Sequence, residues 1–164
     1  YREQSMTTNY DNRLVDMELL QSIVVPGAIQ RVHVTSVGRD PKIVTGIEKA
    51  VQRYTVLLLT SLGNVKFAEA TGGELVLRLV QGSIPNLGYL RHVFGMANSN
   101  ALRVLAKDDA DPRFGTLPDD ERITQAELAD ASVDYATGTV MLEVKLTTAA
   151  GTAYDFTVPI NTMR

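Results

Sequence analysis

The chain holds 164 residues, with 16 Lys and Arg against 19 Asp and Glu, a formal charge of −3. That length predicts one domain, and without a cationic excess to displace counterions a general nucleic-acid binder is excluded as a class. Apolar residues at 45% support a buried core, and the absence of cysteine removes disulfides, thiolate metal sites and cysteine nucleophiles together.

Residues 1–5, ahead of Met6, lack the apolar stretch of a secretory signal, so the fold is expected to begin after them. Residues 6–22 are polar around Leu14, Val15, Met17, Leu19 and Leu20, which suits an arm with a brief helix that docks onto something else, another chain included. The expected organisation is an arm over 1–22 and one domain over 23–164. After the Pro26-Gly27 turn, Val32, Val34 and Ser36 alternate with Arg31, His33 and Thr35. A period of two with β-branched residues predicts a strand over about 29–37, ended by Gly38-Arg39-Asp40-Pro41.

From Thr45 the period changes. Ile47, Val51, Tyr54 and Leu58 form one stripe, with Glu48, Lys49, Gln52 and Arg53 opposite, predicting an amphipathic helix. Thr45 and Glu48 have capping-box spacing, and Gly63 offers a left-handed exit after an end near Ser61. A second stripe runs through Leu87, Leu90, Phe94, Ala97, Ala101 and Leu105, entered after Pro85-Asn86 and left before Pro112. Asn98-Ser99-Asn100 interrupts it with side chains that bond their own backbone, so one rod and a kinked or split helix both stay open. The last third returns to period two, predicting strands over 131–135, 139–147 and 154–160 joined at Thr137-Gly138 and Ala150-Gly151. Helices first and sheet last give the α+β class: amphipathic helices packed on a small antiparallel β-meander.

Chemistry-bearing patterns are sparse. His33 and His92 lie in different elements without metal-binding spacing, so no metal or other cofactor is expected. Glu69 and Glu74 flank a glycine turn and are the carboxylate pair to weigh for glycoside hydrolysis, though any acidic chain offers such pairs. A calcium loop begun at Asp109 fails, because Arg113 and Phe114 stand where an acid and a glycine are needed. Gly72-Gly73 lacks phosphate-cradling spacing. No apolar run exceeds Val56–Leu59, against the roughly 18 residues of a membrane span.

Several spacings taken together are more informative. The amphipathic helix over Val44–Gly63 ends in Thr60-x-x-Gly63, with Phe67 four residues on, Gly72 nine on, and Glu74, Leu75, Leu77 and Leu79 continuing. Asp111-Pro112-Arg113 follows the second helical stripe, and Val158-Pro159-Ile160 stands near the end. In this order the segments resemble the baseplate wedge family of contractile phage tails, often labelled lysozyme-like tail proteins, over about residues 38–160. The family's Glu-Pro-Arg signature maps onto Asp111-Pro112-Arg113, which makes residues 115–122 an inserted loop; Glu121-Arg122-Ile123, which lacks the proline, is the rival. Read from the residues alone, proline would present the arginine in a set direction suited to a partner's carboxylate, with a helix-ending turn as the plainer reading.

The resemblance implies a structural protein of the virion, assembled in the host cytoplasm. It would join the inner baseplate to the contractile sheath and initiate the sheath as a sheath initiator. Implied partners are the tail sheath protein, other wedge subunits and neighbours of the central tube or spike, in several copies around a symmetric ring. A three-stranded meander leaves edges, so the strand carrying Tyr154, Phe156 and Val158 is the expected docking edge for a sheath strand. The alternatives are a muramidase-type tail lysozyme and the related baseplate subunit of a bacterial contractile secretion system. Against the enzyme stand the lack of a specific carboxylate pair and of any tryptophan to stack a sugar.

Overall fold

The apolar stripe at steps of four and three becomes helix α1, Gly46–Leu59, in the computed structural model of the chain, which describes residues 16–24, 31–35, 42–64, 71–112, 116–134 and 136–162, with backbone alone at 21–24 and 31–35. Val51, Tyr54 and Leu58 are buried and Ile47 packs half-buried beside them. Two expectations for this helix need correction. Thr45 occupies the N-cap in extended conformation, but its side chain makes no cap bond; the first amide of the helix, that of Gly46, donates instead to Glu121 Oε1 at 3.0 Å. Lys49 and Gln52, assigned by period to the solvent face, are buried at 5% and 3% exposure beneath segments that arrive from elsewhere in the chain.

The leucine-rich stretch after the glycine turn forms a short helix, α2, Leu75–Val80, which buries Leu75 and Leu79 one turn apart. Helix α3, Leu87–Asp109, is one continuous rod of 23 residues. Asn86 caps it by accepting the Tyr89 amide at 2.8 Å. Its polar triplet does not break it. Asn98 accepts from Tyr54 OH at 2.8 Å and donates to the Ala126 carbonyl at 2.9 Å, Asn100 donates to the Gly72 carbonyl, and only Ser99 bonds back to Gly95. Amides engaged across the fold no longer compete with the helix backbone. Leu90, Phe94, Ala97, Ala101 and Leu105 are buried as the stripe predicts, whereas Leu87 is 46% exposed at the mouth of a groove.

The strands are β1 Asp16–Met17, β2 Leu20–Val24, β3 Arg31–Thr35, β4 Ile43–Val44, β5 Ile123–Asp134, β6 Thr139–Thr148 and β7 Ala153–Asn161. β5, β6 and β7 form the expected antiparallel meander, with β1 and β4 as a separate two-stranded ribbon. β5 begins eight residues ahead of the predicted Ala131. Register shifts between Ile123 and Gln125 and between Leu128 and Asp130 change its facing, so Ala126 and Ala131 are both buried and no simple period of two shows in the sequence.

The arm departs furthest from expectation. Its described part is strand and extended chain in place of a brief helix, and a boundary at residue 22 falls inside β2. β2 pairs antiparallel with β3, and β3 pairs parallel with β7 through Arg31 opposite Phe156 and Val32 opposite Thr157. The main sheet therefore has five strands in the order β2-β3-β7-β6-β5, mixed and not purely antiparallel. The helices cover the face made by Val140, Leu142, Val144, Leu146, Phe156 and Val158, where Tyr54 meets Phe156 edge-on at 6.4 Å. The fold is α+β.

Candidate functional site

Thr60 and Gly72 meet in a close backbone crossing. Thr60 leaves α1 in extended conformation, its carbonyl accepts the Gly73 amide at 2.8 Å, and the Gly73 carbonyl accepts the Leu62 amide at 3.1 Å. Gly63 and Gly72 both have positive φ, 80° and 103°. A Cβ on Gly72 would lie 2.6 Å from the Thr60 carbonyl oxygen, so this crossing admits only glycine. Phe67 lies outside the described residues.

Asp111 and Pro112 follow the end of α3, where the Asp111 amide closes a turn on the Asp108 carbonyl at 3.1 Å; Arg113 lies outside the described residues. The rival triplet shows an anchored geometry. Glu121 is fully buried, and besides the Gly46 amide its carboxylate accepts from Lys49 Nζ at 2.8 Å. Backbone bonds from Ala149 to the Arg122 carbonyl and from Ala150 to the Asp119 carbonyl tie this loop to the β6–β7 turn. Beside the buried glutamate, Arg122 has its side chain 46% exposed and donates to Asp119 at 2.7 Å. The inward acid fixes the loop, and the half-exposed guanidinium beside it is engaged with Asp119. Locally the sequence reads as a hydrated acidic turn, and only Lys49, far back on α1, could have signalled that one of its acids is buried.

β7 is not an edge. It lies between β6 and β3, with Phe156 and Val158 in the core and Tyr154 half-buried, so their side chains build the interior. Thr157, 5% exposed, pairs with Val32 on one side and Glu143 on the other. The reason is backbone satisfaction: β3 pairs with β7 at Phe156 and Thr157, where a bare meander would leave peptide groups open.

Among the described residues the outer strands are β2 and β5, and they differ. β5 carries Glu127, Asp130 and Asp134 and two register shifts, the features that discourage another strand. β2, Leu-Gln-Ser-Ile-Val, has neither charge nor proline and runs through five consecutive pairs with β3 without a shift.

The remaining candidates resolve into local pairs. Glu74 binds Arg78 at 2.6 Å, and that bond leads the causes holding the guanidinium above its ordinary pKa; Glu69 lies outside the described residues. Asp109 pairs with Arg53 at 2.8 Å. Burial pushes the Tyr54 phenol well above its ordinary value, leaving it a neutral donor to Asn98. The His92 ring lies tilted beside Tyr89, with centroids 6.4 Å apart, and the side chain of His33 is not described. Among the described residues no group of three or more His, Cys, Asp or Glu could hold a metal, and no helix is long and apolar enough to cross a membrane. The described residues also line grooves of about 260 and 220 Å³, one with Leu79, Ile84, Leu87, Leu90 and Val140 and no titratable group in its lining, another between α1, α3, Asp16 and Leu19. No protein-family model, curated protein or solved structure matches the chain.

Proposed function

We propose that the chain is a structural subunit of a contractile-tail baseplate wedge that joins the inner baseplate to the sheath and starts sheath assembly by accepting a strand. The observation that carries this is the asymmetry of the sheet, one outer strand guarded by carboxylates and bulges and the other, β2, without either. A strand added at β2 gains main-chain bonds for strength and alternating side chains for register. The docking edge thus moves from the C-terminal strand to the N-terminal hairpin. Arg122, half-exposed beside the buried Glu121, would supply a second contact by exchanging its Asp119 carboxylate for one on the partner. Partners on this reading are the sheath protein, other wedge subunits and neighbours of the tube or spike, in a symmetric ring within the virion. The subunit of a bacterial contractile secretion system shares the architecture and differs in its host particle.

The muramidase reading is weaker on chemistry. Glycoside hydrolysis needs one carboxyl group kept protonated beside a second across a cleft. Glu74, the described member of the weighed pair, is tied at 2.6 Å to Arg78 one turn on, a local surface pair and not an acid facing a second carboxyl group across a cleft.

Proline walked singly through Gln21, Ser22 and Ile23 tests the reading. In an antiparallel pair alternate residues turn their amides toward and away from the partner strand, so one parity damages the hairpin and the other damages only the outer edge. Outer-parity variants should melt like the parent yet fail to nucleate purified sheath protein on baseplates. Full-length sheaths from every variant would remove β2 as the docking edge, and cell-wall lysis by the parent protein, abolished by Glu74→Gln, would replace the structural reading with the enzymatic one.

A further inference from the structure

We infer that the groove between α1, the C-terminal half of α3 and residues 16–19 is a docking site for a basic protein segment that inserts one bulky apolar side chain. Its walls are apolar: Leu57 and Leu105 at the base, with Leu19 and Val56 at 41% and 42% exposure beside them. Its charge is one-sided. Arg53, the cation lining it, is bound to Asp109 at 2.8 Å, while Asp16 and Asp108 also line it and have no ion pair among the described residues. Asp16 uses one oxygen on the neighbouring Met17 amide.

Size decides the kind of occupant. At about 220 Å³ the groove falls below the roughly 300–1,000 Å³ of small-molecule sites and suits a single anchoring side chain. One wall is also fixed in advance. The buried Gln52 accepts the amides of Leu19 and Leu20 at 2.6 and 3.3 Å and donates to the Met17 carbonyl at 2.8 Å, clamping residues 17–20 onto α1. A preformed wall lowers the ordering cost of binding. An apolar slot flanked by two carboxylates selects Leu, Phe or Met between Lys or Arg residues, whereas the groove beside Leu87 has no charge to name a partner. This inference goes beyond the wedge reading and does not depend on it.

The test is selection of a displayed random peptide library on the immobilised full chain. Enriched peptides should carry a bulky apolar residue flanked by Lys or Arg and should bind more weakly as salt is raised. Val56→Asp, at an exposed position, should keep the parent melting profile and weaken the selected peptides by roughly tenfold or more. The double variant Asp16→Lys, Asp108→Lys should shift the selection to acidic flanks. No enrichment, enriched peptides without basic flanks, or equal binding to all three proteins would overturn the inference. None of these outcomes bears on sheath nucleation, so the two readings fail separately.

Discussion

Lys49 and Glu121 stand far apart in the chain and meet out of water, with side-chain exposures of 7% and 0%. A buried charge left without its partner is costly, typically about 3–5 kcal/mol, while replacing both charges by apolar groups of like size can be close to neutral. Glu121→Ala should therefore lower unfolding stability by about that amount and also release the Gly46 amide. Glu121→Gln keeps an acceptor for that amide and should lose less, and the double variant Lys49→Met, Glu121→Leu should recover part of the loss, all read by denaturant titration. Asp134 gives a pH-dependent counterpart at the surface. Its carboxylate accepts first from Thr137 Oγ1 at 2.8 Å and then from the Ala136 amide at 2.9 Å, and these bonds hold its pKa below the ordinary aspartate value. The ionised form is the bonded form, so the turn is at full strength above the ordinary aspartate range and weakens as pH falls through Asp134's own lower value. An NMR titration should find this pKa below that of an unstructured aspartate, and Thr137→Ala should raise it.

At the scale of elements, the same glycine crossing that the sequence spacing marked controls how α1 hands the chain to α2. Gly72 combines φ of 103° with a Cβ position 2.6 Å from the Thr60 carbonyl oxygen, and its own carbonyl is bonded by Asn100 of α3. Gly72→Ala should cost at least the roughly 1–3 kcal/mol of a strained backbone, with more from the contact, whereas Gly63→Ala, with open space around its Cβ, should cost only the conformational part. Thermal melts of the two variants compare the terms directly. The continuity of α3 has a related cause. Its asparagines were a reason to expect a break, yet Asn98 bonds Tyr54 of α1 and Ala126 of β5, tying three elements together with the groups that would otherwise have competed with the helix.

For the molecule as a whole, the decisive arrangement is the return of the N-terminal hairpin to the last strand. The hairpin covers β7 in parallel through two register pairs, and Gln52 holds the approach to it. A variant lacking residues 1–35 would expose the backbone of β7 beside buried Phe156 and Val158. Such an edge invites intermolecular pairing. The variant should melt lower than the parent and elute as oligomers or aggregate in size-exclusion chromatography at concentrations where the parent does not; equal behaviour would mean that the hairpin contributes nothing to the closure of the sheet.

The elements legible in the sequence are those written in contiguous periods. The α1 stripe through Val51, Tyr54 and Leu58, the stripe of α3, and the alternation in β6 and β7 each report a local face that must be buried, and with them the α+β class. The glycine turn was legible too, because a left-handed backbone is nearly a property of the residue itself. Nothing local marks Lys49 or Gln52 as buried, since a polar residue on the far face of a helix looks the same whether water or Glu121 lies above it. β5 hid behind bulges that break its period, and the arm's strands behind composition too polar for a core. Their state was decided by long-range pairing, in which unsatisfied peptide groups of β7 and buried amides of α1 find partners from the other end of the chain.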